Sequence, residues 1–440
     1  MAKLKINTLI YIFIFSLPFT YAMTLKIGFN IKIYEIIAFL LLFYFIFKQV
    51  KSQKIFYKTK YKNIYILFTL YVVFTILSNL FSLYDFTSIN HNYIWAVGRF
   101  APYINSISPI IYLILIFFIF FYLLEKLNER LIYKVIKYWL IGAFISGLYL
   151  IYSNVAIYTG LPEIILPGMD NIRYSGFGNF IFAREGTFRE GNFLSAYLVA
   201  SIVLLHILYI KTKQKKLIFL GIYFIIALFL TVSTSGIISL FIYFNIYFLL
   251  MIFYFKSKTA LKKWVLFYLI IFLSIYFSPL FDLLYDIIYL KLFSSNIDYS
   301  PMAYSKFDRL YHLQKGIEIF KEHYLFGIGS YNFGYYFPMI TDSNIFSDGT
   351  EYKKIINNVY VQILVENGIF TFLFFISIFI LIIKRFIRKR QKDILDIISI
   401  SFLISILIRW NAYPTYLLMF DWISIIIIIY LLWRKNEDIY

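Results

Sequence analysis

Long apolar runs dominate this chain, and short basic stretches separate them. A run of about twenty apolar residues is the length that an α-helix needs to cross the hydrocarbon core of a bilayer. Hydrophobic residues make up 61% of the chain and charged residues only 15%, whereas about a quarter of the residues of a soluble domain are charged. The sequence therefore predicts an all-α integral membrane protein with one polytopic membrane domain over residues 1–440.

The apolar runs predict about twelve transmembrane helices. The predicted spans are 8–23, 33–47, 63–85, 101–124, 138–160, 192–210, 217–233, 236–255, 264–283, 358–383, 394–409 and 416–433. The first run follows Lys3 and Lys5 as a signal peptide would, but no small-residue cleavage site follows and the second run begins almost at once. We therefore expect the first run to remain as a transmembrane helix.

The positions of the basic residues predict the orientation of these spans. Two thirds of the 42 Lys and Arg residues lie in seven short segments on one side, namely 1–7, 48–62, 125–137, 211–216, 256–263, 384–393 and 434–440. Because basic residues accumulate in cytoplasmic loops, both termini are predicted to be cytoplasmic. Two longer segments, 161–191 and 284–357, are then external, and we expect binding or chemistry there.

Several kinds of site are not predicted. The net charge of +19 resides in basic clusters between apolar runs, which is typical of membrane-protein loops and not of nucleic-acid binding. The chain has no Cys, and its four His are scattered without the spacing of metal ligands. We find no phosphate loop and no dinucleotide-binding glycine motif. We therefore expect no metal, no cofactor and no nucleic-acid partner.

The large external loop contains a predicted amphipathic helix over residues 306–325. Its apolar residues recur at spacings of three and four, namely Phe307, Leu310, Leu313, Ile317, Phe320 and Tyr324. Glycines in the stretch 326–329 suit a helix end, and we expect the helix to lie on the membrane surface or to cap the bundle. Arg309 and His312 share one face of this helix, either as binding residues or as part of a solvated polar face.

The external segment before the sixth span carries Arg184, Arg189 and Glu190 just ahead of a helix start. A guanidinium group suits phosphate and keeps its charge, and the N-terminus of a helix also favours anions. This pattern predicts a phosphate or pyrophosphate site. The alternative is an interfacial arginine with a local carboxylate partner.

The tenth predicted span opens with Asn357, Asn358 and Tyr360. Asn358, Gln362 and Glu366 recur every four residues and share one helical face. An ionisable group within a membrane helix is costly and normally faces a cavity or a partner, so Glu366 is a candidate catalytic residue. The alternative is a polar contact between helices.

Other polar positions are weaker candidates. The turn at 231–236 is rich in hydroxyl groups, and we expect it to satisfy exposed backbone groups. Arg99, Arg409 and Asp421 lie at the outer ends of spans or within them and are weaker candidates for the same site.

Four motifs in this order resemble the O-antigen polymerase and O-antigen ligase superfamily of bacterial envelope enzymes. The motifs are Arg184-x-Gly-Thr-Phe-x-x-x-Asn192-Phe-Leu-x-Ala, Thr231-x-Ser-x-Ser-Gly, Arg309 followed by Phe326-Gly-Ile-Gly329, and Asn357-Asn358-x-Tyr-x-x-x-Leu-x-Glu366-x-Gly368. They cover about 180–383, and all lie on the predicted external side of the spans.

The resemblance implies a glycosyltransferase of GT-C-like fold, multi-pass in the bacterial plasma (inner) membrane. Its implied activity is that of an O-antigen polymerase in lipopolysaccharide or related polysaccharide biosynthesis. The substrates would be oligosaccharide repeat units on undecaprenyl pyrophosphate, which serves as a substrate carrier and not as a cofactor. The lipid-linked oligosaccharide, membrane lipids and a chain-length regulator protein are the implied partners.

The resemblance also implies roles for individual residues. Arg184, Arg189 and Arg309 would hold the pyrophosphate, and Glu190 or Glu366 would orient or deprotonate the acceptor hydroxyl group. The catalytic group would also include Asn357 and Asn358, with substrate contacts from His312 and Tyr360.

Three alternatives to the polymerase are considered. One is a cell-shape or division type peptidoglycan polymerase of related membrane architecture, but its usual motifs are not found. Ligases of this superfamily usually carry His where this chain has Asn357, which favours polymerase over ligase. A flippase or other transporter of lipid-linked oligosaccharide would have pseudo-symmetric halves and short loops on both faces. The chain shows neither property.

Overall fold

The computed structural model describes residues 2–26, 30–52, 59–85, 101–172, 174–177, 180–276, 301–336 and 355–434. These residues are mostly helical. The α-helices are α1 (Ala2–Ser16), α2 (Ile33–Ser52), α3 (Lys62–Asp85), α4 (Ala101–Lys126), α5 (Glu129–Thr159), α6 (Gly191–Thr212), α7 (Lys216–Leu230), α8 (Thr234–Phe255), α9 (Lys258–Tyr276), α10 (Pro301–Glu322), α11 (Phe333–Tyr336), α12 (Val359–Arg388), α13 (Ile394–Arg409) and α14 (Met419–Trp433). Short 3-10 helices occupy Thr59–Tyr61 and Trp410–Ala412.

The chain is an integral membrane protein. Among the described residues, seven helices are long and apolar enough to cross a bilayer, namely α3, α4, α5, α6, α8, α12 and α13. Four shorter apolar helices, α1, α2, α7 and α14, accompany them. Each of the twelve predicted spans overlaps a helix, although the number of crossings and the side of each terminus stay predictions.

Basic segments that are predicted to be cytoplasmic meet at one end of the bundle. Lys211 pairs with Glu129 at 3.0 Å, and Arg434 pairs with Asp393. Tyr133 lies between the two pairs and interacts electrostatically with Lys211 and Arg434. These contacts join four of the seven basic segments, as a common membrane face requires.

Two short antiparallel hairpins lie at the other end. Strands β1 (Thr24–Lys26) and β2 (Asn30–Lys32) form the first, and β3 (Tyr174–Phe177) and β4 (Phe180–Ala183) form the second. The amide of Tyr21 donates to the carbonyl oxygen of Thr187 at 3.0 Å, and the hydroxyl group of Thr24 donates to the carbonyl oxygen of Gly168 at 3.2 Å. The end of α1 is thereby joined to the predicted external segment 161–191.

The predicted amphipathic helix exists as α10, but a different face of it is buried. His312 and Gly316 lie against the protein, whereas Leu310, Ile317 and Tyr324 are exposed. The reason is the small size of Gly316, where an added Cβ would lie 3.0 Å from the Ile356 side chain. The absent side chain lets α10 approach the start of α12, so much of the predicted apolar face points away from the protein. The parts of the external loop at 284–300 and 337–354, like Arg99, lie outside the described residues.

Helix α12 is broken at Gly368, whose backbone adopts φ 76° and ψ 177°. The residues around the break bind the stretch that follows α10. The amide of Ile328 donates to the carbonyl oxygen of Val365 at 3.1 Å, and the amide of Gly329 donates to that of Glu366 at 2.7 Å. In the other direction, the amide of Ile369 donates to a carbonyl oxygen of the same stretch, that of Tyr324, at 2.9 Å.

Glycine is required where these two segments meet. A Cβ at Gly368 would overlap the carbonyl oxygen of Leu325, and a Cβ at Gly327 would lie 2.5 Å from the carbonyl carbon of Glu366. Both glycines also have positive φ angles, 76° and 72°, which residues with a Cβ rarely adopt. Gly327, in the stretch after α10, and Gly368, in α12, thus permit the same close backbone contact.

We predict that Gly368→Ala destabilises the protein by at least about 3 kcal/mol, because backbone strain and overlap add together. The measurement is the thermal midpoint of the detergent-solubilised protein. Gly176→Ala is the matched control, since Gly176 has no heavy atom within 4 Å of an added Cβ and no positive φ angle. Equal midpoints for the two variants would contradict the strained contact.

Candidate active site

Arg184 connects the external segment to the turn between α7 and α8. Its Nε donates to the carbonyl oxygen of Thr231 at 2.9 Å, and its Nη2 donates to that of Val232 at 3.5 Å. These carbonyls lie at the C-terminus of a helix, where backbone acceptors lack helical partners. The guanidinium group therefore has a structural role in addition to any contact with a ligand.

The hydroxyl-rich turn joins the starts of two helices. Ser233 caps α8 by accepting from the amide of Gly236, and its hydroxyl group donates to Asn192 Oδ1 at 2.9 Å. Ser195 donates to Ser233 Oγ at 2.9 Å. The hydroxyl group of Thr231 donates to a backbone carbonyl oxygen, so the turn satisfies backbone groups as predicted.

A positive charge persists at Arg184. Burial lowers the pKa of its guanidinium group, and the nearby carboxylates Glu185 and Glu190 oppose that shift. Because the ordinary pKa of arginine is far above neutral, the group stays charged at physiological pH. Glu190 and Arg189 are exposed just before α6, so the segment presents cations and a carboxylate where a ligand can reach them.

A buried ion pair lies next to the start of α6. Arg409 and Asp421 are paired, and both side chains are almost fully buried. Trp410 Nε1 also donates to Asp421 Oδ2 at 2.9 Å. The Arg409 guanidinium lies 5.2 Å from the ring centre of Tyr413, and the Tyr413 hydroxyl group donates to the carbonyl oxygen of Asn192. The pair thereby holds Tyr413 against the start of α6.

A second group of polar side chains surrounds Ser330, just beyond the glycine stretch. Ser330 donates to Asn367 Oδ1 at 2.8 Å and accepts from Asn79 Nδ2 at 3.0 Å and from the Tyr416 hydroxyl group at 3.1 Å. Its amide also donates to Asn79 Oδ1 at 2.9 Å. All four residues are buried, so this network holds α3, the glycine stretch, α12 and the segment before α14 together.

The Glu366 side chain lies inside this second group. It is 1% exposed and interacts electrostatically with Tyr331 and Tyr416. The Tyr331 and Thr415 hydroxyl groups hydrogen-bond to each other. Burial raises the pKa of Tyr331, and Glu366 raises it further, so this phenol stays protonated at neutral pH. The carboxyl group therefore lies among neutral hydroxyl groups.

A cation from the N-terminal hairpin lies near the polar group around Glu366. Lys32 interacts electrostatically with Tyr331 and pairs with Glu35 at 2.6 Å. Its ammonium group lies 5.4 Å from the ring centre of Tyr112. Lys32 carries no signal of a site in the sequence, because a basic residue beside an apolar run is ordinary.

Several predicted residues have local structural contacts. Asn358 caps α12 by accepting from the amides of Tyr360 and Val361, and the Tyr360 hydroxyl group donates to the carbonyl oxygen of Leu407 at 2.6 Å. Asn357, next to the cap, is half-buried.

The two predicted residues of α10 differ in exposure. His312 is buried with its ring 5.9 Å from that of Phe333. Arg309 is half-buried one turn earlier.

The polar group at the start of α6 and the polar group around Ser330 and Glu366 lie on either side of the segment 413–416. Tyr413 contacts Asn192 and interacts electrostatically with Glu190, while Tyr416, three residues later, belongs to the group around Glu366. Three extended residues span at most about 11 Å. The segment 413–416 thus brings the arginine motif and the Glu366 motif close together, although they are far apart in sequence.

The sequence contains one signal of the contact between α3 and the Glu366 motif. Thr75, Ser78, Asn79 and Ser82 recur at spacings of three and four within the apolar third span, and all four are buried. The Ser78 hydroxyl group donates to the carbonyl oxygen of Glu366 at 3.0 Å. A polar stripe on a membrane helix indicates a polar partner inside the bundle.

Part of the chain matches a known protein family. Residues 218–376 match the O-antigen ligase family model. This match confirms the resemblance to the O-antigen polymerase and ligase superfamily. The matched residues of this chain include the hydroxyl-rich turn, α10, the glycine stretch and Glu366. No curated protein matches the chain.

We predict that Asp421→Asn destabilises the protein by about 3–5 kcal/mol, because it leaves the buried Arg409 charge uncompensated. Glu129→Gln removes the acid of an ion pair whose two side chains are 35% and 48% exposed, and such a pair contributes about 0–1 kcal/mol. Thermal midpoints in detergent compare the two variants. A larger loss for Glu129→Gln would contradict the structural role of the buried pair.

Proposed function

We propose that the chain is a glycosyltransferase that polymerises lipid-linked oligosaccharide repeat units into a bacterial surface polysaccharide. The observation that carries this proposal is the match of residues 218–376 to the O-antigen ligase family. The segment 413–416 supports it further, because its Tyr413 contacts Asn192 of the arginine motif and its Tyr416 belongs to the group around Glu366. The reaction needs a cationic group and a carboxyl group near one another.

In the proposed reaction, the growing chain is transferred from undecaprenyl pyrophosphate to the next lipid-linked unit. The bond between the sugar anomeric carbon and the pyrophosphate oxygen breaks, and its electron pair leaves with the pyrophosphate. A hydroxyl oxygen of the acceptor sugar forms the new bond to the same carbon, and its proton passes to a carboxylate. Stabilising the charge that develops on the leaving group is the main requirement.

Arginine side chains meet that requirement without a metal ion. Arg184 is fixed by two carbonyl oxygens and retains its charge, and Arg189, five residues later in the same segment, is exposed. Arg309 adds a third cation on α10. For the acceptor proton, Glu190 and Glu366 are the two candidate carboxylates, the first exposed and the second buried among hydroxyl groups.

Asn357 favours the polymerase over the ligase in this proposal. Asn does not take up a proton at neutral pH, so it is a poor substitute for the His that ligases usually carry. The ligase is the second candidate, since the matching family bears that description. We place either activity at the outer face of the bacterial plasma membrane, with lipid-linked oligosaccharide as substrate and a chain-length regulator as partner.

We predict that a deletion strain retains core lipid with one repeat unit and loses the longer bands of the polysaccharide ladder. The measurement is a gel of surface polysaccharide beside the parent strain and a complemented strain. Loss of all attached sugar, with long chains on the carrier lipid, would instead establish the ligase. An unchanged ladder would exclude both activities.

The same gel tests the arginine site. We expect Arg184→Ala, Arg189→Ala and Arg309→Ala to shorten or abolish the ladder at normal membrane levels, because each charge-assisted bond contributes roughly 1.5–3 kcal/mol. Arg388→Ala removes an exposed arginine from a segment predicted to be cytoplasmic and is expected to leave the ladder intact. Full-length polymer from all three site variants would reject the proposed pyrophosphate site.

A further inference from the structure

Helices α5 and α6 run antiparallel in register, so α5 provides a scale of height through the membrane. Glu129 on α5 pairs with Lys211 on α6 at 3.0 Å. Ten residues along each helix, Trp139 Nε1 donates to Ser201 Oγ at 2.9 Å. A further ten residues place Tyr149 level with the start of α6. Helix α6 has 22 residues and is about 33 Å long, close to the thickness of about 30 Å of a hydrocarbon core. In the predicted orientation, Tyr149 therefore marks the outer boundary of the bilayer.

Beyond Tyr149, α5 continues for ten residues, or about 15 Å, and the chain then folds back along the helix. The Tyr152 hydroxyl group donates to the carbonyl oxygen of Pro162 at 2.7 Å, and the Tyr149 hydroxyl group donates to that of Ile164 at 2.7 Å. Residues 161–165, here called the descending stretch, thus return from the end of α5 to the level at which α6 begins.

The descending stretch presents apolar side chains outward. Leu161, Ile164 and Ile165 are exposed, and an exposed apolar patch marks an interaction surface. On α5, Ile145 lies one turn below Tyr149 on the same helical face and is exposed as well. Because α5 is among the helices long and apolar enough to cross a bilayer, the apolar surface of the stretch lies directly above a lipid-facing surface.

The backbone of the descending stretch suits a place with little water. Polar backbone groups at membrane depth must find partners within the protein, and tyrosine hydroxyl groups bind the carbonyl oxygens of Pro162 and Ile164. Pro162 also has no N–H group to satisfy. The one charged residue of the stretch, Glu163, hydrogen-bonds to Tyr174 of the hairpin β3–β4, so its carboxylate has a protein partner.

We propose that the descending stretch lies in the outer surface of the bilayer, with Leu161, Ile164 and Ile165 inserted among the lipid chains. Lipid is the occupant that fits, because the stretch lies at the level of the membrane boundary and its apolar surface continues that of α5. This part of the segment 161–191 is then an interfacial anchor and not a loop in water.

The arginine motif lies at the same level as the anchor. A Cβ added to Gly191, the first residue of α6, would lie 3.1 Å from the Cβ of Arg184, so Arg184 is at the boundary that Tyr149 marks. In the proposed reaction, the pyrophosphate of a lipid-linked substrate also lies there, between the lipid chains and water. This consequence rests on the proposed function, whereas the position of the descending stretch does not.

The test measures the depth of single nitroxide labels on the full-length chain in vesicles of phosphatidylethanolamine and phosphatidylglycerol. The chain has no Cys, so Ile164→Cys carries one label. Ile181→Cys is the matched control, because Ile181 is 48% exposed and Ile164 is 47% exposed. Tyr158 donates to the carbonyl oxygen of Ile181 at 2.9 Å. Since Tyr158 is nine residues beyond Tyr149, Ile181 lies about 14 Å higher than Ile164.

The readout is the collision of each label with dissolved oxygen, which concentrates in lipid, and with a water-soluble nickel chelate. Ile141→Cys on α5 provides the lipid reference, because Ile141 is also 47% exposed and lies about 12 Å below Tyr149. We expect the label at Ile164 to collide with oxygen and to be protected from the chelate. The label at Ile181 should collide freely with the chelate, at a depth about 14 Å further out. Ile165→Cys should repeat the result for Ile164.

Two results would overturn the anchor. Equal collision with the chelate at Ile164 and Ile181 would mean that the descending stretch lies in water. Protection of the labels at Ile164 and Ile165 from both reagents would mean that protein covers the stretch, either a second copy of the chain or another partner. Neither result depends on sugar transfer, so the gel of surface polysaccharide tests the proposed function separately.

Discussion

The break in α12 at Gly368 is the constraint on which the rest of the site depends. Backbone groups inside a membrane protein must find hydrogen bonds within the protein, and the glycine stretch after α10 supplies donors to the carbonyls of Val365 and Glu366. The close approach is possible because Gly327 and Gly368 have no side chains. As a result, the buried carboxyl group of Glu366 is held next to a loop and not within a continuous helix.

The segment before α14 makes the second essential connection. Its Tyr413 contacts the start of α6, and its Tyr416 joins the network of Ser330 and Asn367. The buried pair of Arg409 and Asp421 holds the beginning of this segment. Breaking such a pair is unfavourable because one charge is left without compensation in an apolar environment. This segment therefore gives the arginine motif and the Glu366 motif a fixed relation.

Much of this architecture follows from local properties of the sequence. Apolar length predicts the helices, and the four-residue spacing of Asn358 and Glu366 predicts their common face. Other features depend on packing between distant segments. The spacing of apolar residues in α10 does not reveal that Gly316 permits close contact with α12, where His312 is buried and Leu313 and Phe320 are partly buried. Likewise, the local sequence around Arg184 does not reveal that its side chain binds the carbonyl oxygens of Thr231 and Val232.

The most direct measurement of the central contact is a thiol crosslink between the glycine stretch and α12. The chain contains no Cys, so a Ser330→Cys and Asn367→Cys double variant has only the two introduced thiols. Their native side chains hydrogen-bond at 2.8 Å, and we expect oxidation or a short thiol crosslinker to join them in native membranes. Leu373→Cys with Ser330→Cys should not crosslink, because Leu373 is exposed further along the helix. Absence of a crosslink at 330–367, or equal crosslinking at 330–373, would contradict the account.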